Sequence, residues 1–285
     1  MRSRLEHLLS PLLGLLLTLQ AGLVVTGGAV RITGSGLGCP TWPKCTDFSY
    51  TPVAHQPQGQ LHVWIEYGNR LLSIALLLVA FTALGAVLVL RRRDIKALAI
   101  GQVAGILAQI PLGGITVLTH LNPISVASHF LLSMILIAAC TCLYERRKST
   151  PPQLPRATKQ FPILTRAHLI LTTWVIVIGT IVTGSGPNAG DASAPRFRLH
   201  FQTISWIHAW LVIALMLLTV VLFFATSQSP FLRKRVAIFG IVSILQGSIG
   251  FLQYYQGLPE LLVGAHLLGV TLVWISAWRI QLAAK

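Results

Sequence analysis

The sequence predicts an all-α integral membrane protein of eight transmembrane helices, built as two repeated four-helix halves. Three observations carry that reading. Hydrophobic residues make up 54% of the chain and charged ones only 10%, where a soluble domain carries roughly 25% charged residues. Eight runs long enough to span a bilayer follow one another, at 8–27, 63–90, 97–119, 124–144, 165–184, 204–226, 236–255 and 260–278. Three sequence blocks from the first half recur, in the same order, in the second.

The first run follows Arg2 and Arg4 but meets no small-residue cleavage site, so it reads as a retained span and not as a signal peptide. The start is neither long nor rich in Arg and Ser, as a transit peptide would be, which favours a bacterial plasma membrane. A loop dense in Gly and Pro, "GGAVRITGSGLGCPTWPKC" at 27–45, separates spans one and two and carries Cys39 and Cys45. His62 precedes span two, which opens with Glu66, Asn69 and Arg70. Span four contains His129 and ends on Cys140 and Cys142, which read as packing thiols. The basic, proline-rich segment 145–164 reads as a cytoplasmic linker between an N-terminal half, 1–144, and a C-terminal half, 165–285. Spans six and eight contain His208 and His266.

Charge fixes the expected orientation. The net charge is +15, but the basic residues sit in short clusters between apolar runs, unlike the single basic face of a nucleic-acid binder. With the N-terminus cytoplasmic, 17 of the 22 Lys and Arg fall on the inner side. This predicts cytoplasmic N- and C-termini. It also places Cys39 and Cys45 outside, in a compartment where a disulfide persists.

The repeat sorts the polar residues. "NRLLSIALLLVAF" (69–81) aligns with "HAWLVIALMLLTV" (208–220) at an offset of 139. "QIPLGGITVLTHLNPISVASH" (109–129) aligns with "QGSIGFLQYYQGLPELLVGAH" (246–266) at an offset of 137, and "VTGGAV" (25–30) echoes "VTGSGP" (182–187). Each half holds an even number of spans, so the repeat is parallel, about an axis along the membrane normal.

Ionisable residues within spans are costly and mark function. His208 and His266 fall at similar depths near the outer face. Two imidazoles from different helices of one bundle suit bis-histidine ligation of a heme iron. Zinc fits less well, because no Cys or carboxylate cluster completes a tetrahedron. The matching N-terminal positions are Asn69 and His129. Glu66 shares a helix face with Asn69; it reads either as an i,i+4 partner of Arg70 or as a carboxylate facing a redox site. Outer arginines Arg31, Arg70, Arg196 and Arg198 read either as propionate partners or as snorkelling side chains.

These motifs resemble the heme A synthase family over essentially the whole chain. The carrying stretches are "VRITGSGLGCPTWPKC", "IEYGNRLL", "GGITVLTHLNPISVASHF", "VTGSGPNAGD", "IHAW" and "GAHLLG". The resemblance implies two pseudo-symmetric four-helix bundles. It implies an enzyme that oxidises the C8 methyl of heme O to a formyl group by successive hydroxylations. It also implies a heme b cofactor in the C-terminal bundle, with axial ligands at His208 and His266. The substrate heme would bind in the N-terminal bundle, where the family's Glu-x-x-His and later His correspond to Glu66, Asn69 and His129. Asn69 therefore stands where the family has His. The family's loop cysteines map onto Cys39 and Cys45, expected to close a small disulfide loop. Asn188 and a 184–203 loop without cysteines are two further departures.

Expected partners are heme O, membrane lipid, a heme O synthase and a quinone or other electron-transfer partner, with no nucleic acid; a homo-oligomer is compatible with the composition. An electron-transferring bis-histidine cytochrome is the competing reading, since it needs the histidines without Glu66 or the elaborate loop. A transporter fits the repeat but not the scarcity of intramembrane charge beyond Glu66 and Glu260. A prenyltransferase needs Asp-rich Mg²⁺–diphosphate motifs, and the three Asp here are isolated.

Overall fold

A computed structural model of the chain describes residues 2–147 and 160–284. They form eight helices: α1 (Arg2–Ile32), α2 (Gln60–Val89), α3 (Arg93–Leu118), α4 (Pro123–Glu145), α5 (Gln160–Ser185), α6 (Phe201–Ala225), α7 (Pro230–Tyr255) and α8 (Glu260–Ala283). All eight are long and apolar enough to cross a membrane, and no strand occurs among the described residues. This is a multi-pass membrane protein whose spanning backbone satisfies its own hydrogen bonds, as hydrocarbon demands.

Several helices outrun their apolar spans, most at α1 and then at α5 and α7, because intrahelical hydrogen bonds continue where side chains turn polar. Arg233 to Arg235 accordingly ride on the first turns of α7. Local chemistry sets some ends. Pro123 occupies the first turn of α4, and the Asn122 side-chain oxygen accepts the Ile124 N–H at 2.9 Å. Of the expected linker 145–164, residues 148–159 lie outside the described residues; Glu145 ends α4 and 160–164 belong to α5.

Helix neighbours define two rings. In one, α1 and α3 each pack on α2 and α4; in the other, α5 and α7 each pack on α6 and α8. Thus α2 lies diagonally across from α4, and α6 from α8. The bundles meet along α4 with α8, flanked by α1 with α8 and α4 with α5, which is the arrangement a parallel repeat produces.

Packing is unequal along each bundle. The tightly buried apolar clusters, such as Leu13, Leu76, Ile95 and Leu143 in one bundle and Leu222, Leu232, Phe239 and Ile280 in the other, lie toward the end bearing the basic loops. A buried chain, Gln20 to Gln102 at 2.9 Å and Gln102 to the Leu136 carbonyl at 2.9 Å, ties α1, α3 and α4 together there. In the C-terminal bundle Phe239 replaces that Gln102, one repeat of 137 later, and packs edge-on against buried His168, whose Nε2 lies 3.2 Å from the Thr219 hydroxyl. Toward the opposite, disulfide-bearing end, the interior-facing Asn69, His129, His208 and His266 are only half-buried.

The bundle interface is tied at three levels. At the disulfide end, Arg31 of α1 donates to the carbonyls of Asn188 and, at 2.8 Å, of Thr183. Just below it, Gly28 lets α1 approach α8, since a Cβ there would clash with the Leu267 side chain. Trp274 Nε1–H of α8 donates to the Met134 carbonyl of α4 at 2.7 Å. At the basic end, Glu145 pairs with Arg235 at 2.6 Å and Arg279 at 2.9 Å. Removing one member of a largely buried ion cluster costs about 3 kcal/mol, because the remaining charges lose their partner. Glu145→Ala is therefore expected to lower the thermal unfolding midpoint in detergent by several degrees; circular dichroism melting that leaves the midpoint unchanged would contradict that role.

Candidate functional site

His208 sits seven residues into α6 and His266 six into α8, roughly 10 and 9 Å along their helices at 1.5 Å per residue. They therefore project from diagonal helices at matching depth. Each ring lies against a glycine of the preceding helix. A Cβ on Gly179 would meet His208 Cε1 at 3.2 Å, and one on Gly250 would meet His266 Cε1 at 3.0 Å. The Nδ1 atoms of both rings are buried without a hydrogen-bond partner. Gln246 Nε2 donates to the His266 carbonyl at 2.9 Å, pinning α7 to α8 at this level. Gly269 makes room for that glutamine, since a Cβ there would fall 1.7 Å from its Oε1.

These features fit a heme: two half-buried imidazoles across a bundle, and glycine walls that let the rings lie close against the preceding helix. Among the described residues no cluster of three or more His, Cys, Asp or Glu is poised for a bare metal ion.

The N-terminal bundle repeats half of this device. His129 lies six residues into α4, a Cβ on Gly113 would meet its Cε1 at 3.3 Å, and its Nδ1 is also buried without a partner. Gln109 Nε2 donates to the His129 carbonyl at 3.2 Å and to the Ser133 hydroxyl at 2.7 Å. Gln109, Gly113 and His129 thus correspond to Gln246, Gly250 and His266 at the offset of 137. Asn69, across the bundle on α2, instead accepts a hydrogen bond from the Thr26 hydroxyl of α1 at 2.8 Å.

Above His129 and Asn69 the 33–59 loop is built around one carboxylate. Cys39 and Cys45 form a disulfide and are fully buried. Glu66, also buried, accepts the Cys39 N–H at 2.7 Å through Oε2 and the Arg70 guanidinium at 2.6 Å through Oε1. Arg70 also donates to the carbonyls of Cys39, Thr41 and Lys44. The i,i+4 pair expected from sequence is present, and it belongs to a larger anchor. A charge this buried stays favourable only because several donors replace its water. Further along, the Ser35 hydroxyl lies 3.0 Å from His62 Nδ1, and Trp42 lies on α3 at Gly114, where a Cβ would come within 2.5 Å of the indole. His62 thus belongs to the loop anchorage, outside the imidazole set.

Sequence reasoning grouped Glu66 with Asn69 on one face. The structure brings each to a different neighbour, Glu66 to the loop and Asn69 to α1. Arg31, Arg70 and Arg196 all spend donors on backbone carbonyls, and Arg198 is exposed. Glu260, on the first turn of α8, is exposed at a helix N-terminus, where a carboxylate is favoured. The glutamine and glycine that frame His129 and His266, and the glycine beside His208, were given no role from sequence. For His129 and His266 the signal was present as the Gln-x-x-x-Gly spacing that opens both copies of the second repeat block.

Comparison with known proteins follows the same outline. The family model described as cytochrome oxidase assembly protein (COX15-CtaA) matches residues 11–278. The heme A synthase of Bacillus licheniformis is 30% identical over 215 residues, covering 70% of this chain and 64% of that protein. The heme A synthase of Shewanella oneidensis is 28% identical over 200 residues, 65% of this chain and 58% of its own length. That of Geobacillus kaustophilus is 33% identical over 118 residues, 40% and 35% respectively. The chain thus spans between 35% and 64% of the length of these relatives. Because the family match runs from α1 into α8, across both bundles, the chain belongs to the cytochrome oxidase assembly protein family.

Proposed function

We propose that the chain is a heme A synthase, oxidising the C8 methyl of heme O to a formyl group. Heme O binds in the N-terminal bundle, 1–144; a heme b cofactor binds in the C-terminal bundle, 165–285; and the segment between α4 and α5, within 145–164, is a cytoplasmic linker. The observation that carries this reading is the unequal repeat. His208 and His266 form a complete, glycine-walled imidazole pair, whereas the other bundle combines a single such histidine with a buried acid under a disulfide loop. The relatives named above, all heme A synthases, support it.

The bis-histidine cytochrome reading does not explain that inequality. One repeat of 139 after Glu66 and Arg70 stand Ser205 and Ala209, so the acid, its guanidinium and the loop they hold belong to one bundle alone. Pure electron transfer has no use for them.

Methyl-to-formyl oxidation proceeds by two hydroxylations at one carbon, and the resulting gem-diol loses water. With water as the oxygen source the step balances as R–CH3 + H2O giving R–CHO, four protons and four electrons, the electrons leaving to a quinone or other redox acceptor. His208 and His266 would hold the heme b iron, which would supply one-electron exchange between the substrate site and a quinone or other redox partner. His129 fixes the substrate iron. Glu66 handles protons beside the reacting side of the macrocycle, and Arg70 and the Cys39 N–H hold it there. The disulfide loop, seated by Trp42 and Arg70, keeps bulk water from the bundle mouth. Lipid surrounds the exposed apolar faces, and heme O arrives from a heme O synthase. The excess of basic residues on one side supports cytoplasmic termini in a bacterial plasma membrane.

The deciding experiment is co-expression with a heme O synthase, pigment extraction and identification of the product by mass. Heme A is expected; heme b alone, with heme O unconverted, would favour the cytochrome. In the same assay His208→Ala and His266→Ala are each expected to abolish bound heme b, and unchanged heme content in both would remove the proposed ligand pair. Glu66→Gln keeps the size but removes the charge; it is expected to reduce heme A formation at least 100-fold, on the scale of losing general acid–base help, with heme b retained. Arg70→Ala is expected to expose the disulfide, read as faster labelling of Cys39 and Cys45 after mild reductant; labelling at the wild-type rate would show that the loop holds without it.

A further inference from the structure

We infer that the N-terminal bundle binds heme iron through His129 alone, leaving the opposite axial face open to a small ligand that the Asn69 carboxamide hydrogen-bonds. The inference rests on the reading of that bundle as a heme site.

The internal repeat provides the comparison. Asn69 occupies the position of His208, as His129 occupies that of His266. Gly22 occupies the position of Gly179 at the offset of 157 that aligns the third repeat block. In the C-terminal bundle the glycine is filled by its histidine: a Cβ on Gly179 would sit 3.2 Å from His208 Cε1. In the N-terminal bundle a Cβ on Gly22 would meet nothing within 4 Å. The glycine wall for an imidazole is therefore present on α1, and α2 does not supply the ring.

Asn69 is held in a fixed orientation. Its Oδ1 accepts the Thr26 hydroxyl at 2.8 Å, which uses the amide's acceptor and leaves Nδ2 as a donor with no hydrogen bond among the described residues. A carboxamide has no ring nitrogen to offer iron and is shorter than an imidazole, so it serves as a hydrogen-bond donor beside the iron, in place of a second ligand. One imidazole on iron, with a donor opposite, is the arrangement that lets a small anion or water bind; two imidazoles close it. The two bundles thus divide the tasks, His208 with His266 for a closed iron and His129 with Asn69 for an open one.

The test loads the purified full chain with ferric heme and reads spin state by electron paramagnetic resonance, with fluoride as probe. The expected result is two hemes per chain, one low-spin and one high-spin, with only the high-spin heme binding fluoride. Asn69→His, which places an imidazole over the space at Gly22, should convert the high-spin signal to low-spin and abolish fluoride binding. Asn69→Ala should keep the high-spin signal and weaken fluoride about 10-fold, the effect of one lost hydrogen bond to an anion. His129→Ala should lose the high-spin heme and keep the low-spin one. Two low-spin hemes in the unmodified chain, or an Asn69→His spectrum identical to it, would overturn the inference and leave the heme A synthase reading standing. A chain that takes up heme at His208 and His266 alone would overturn the inference and the N-terminal heme site with it.

Discussion

Close packing toward the basic end of each bundle lets the other end carry polar groups inside the membrane. Apolar clusters around Leu76 and Leu143, and around Leu222 and Phe239, hold the helices together where nothing has to bind. Cross-bundle contacts, Glu145 with Arg235 and Arg279 and the indole of Trp274 on Met134, fasten the two halves. With that end secured, the disulfide end can afford half-buried histidines, glycine gaps and a buried carboxylate, each of which costs stability where it stands.

The repeat then acts as an internal control. Both bundles pin a histidine with a glutamine from the preceding helix and a glycine four residues after that glutamine. What differs between them is what evolution of the duplicated unit has altered. The C-terminal copy has a second imidazole, and Ser205 where the other copy has Glu66. The N-terminal copy has an amide in place of the second imidazole, and a carboxylate whose charge is answered by Arg70 and the Cys39 N–H. Under the proposed function this difference divides the tasks between the bundles, a two-imidazole site for electron exchange and an enclosed site with a proton acceptor for methyl oxidation.

The loop over the N-terminal bundle has a single organising centre. Glu66 meets Cys39, and Arg70 meets Cys39, Thr41 and Lys44, so the carboxylate buried beneath the loop also fixes the backbone above it. A buried ion pair adds little stability compared with an apolar replacement. Its value here is positional, because losing either partner strands the other charge and releases the loop.

Much of this was legible in the sequence, because lipid imposes strict rules on composition. Eight spans, the two-fold repeat and the register of Asn69, His129, His208 and His266 follow from apolar length and from aligned blocks. The loop cysteines and Glu66 stood out as exceptions within an oily chain. Tertiary structure alone decided which polar groups meet. Glu66 and Asn69 share a helix face by spacing, yet one turns to the loop and the other to Thr26. Outer arginines that sequence offered as ligand partners are largely engaged with backbone carbonyls. The glycine walls at Gly113, Gly179 and Gly250 could not be weighed from sequence, since a glycine shows its purpose only when another helix brings a ring against it. Sequence spacing sets which residues share a face of one helix; how closely two helices approach depends on side chains contributed by both.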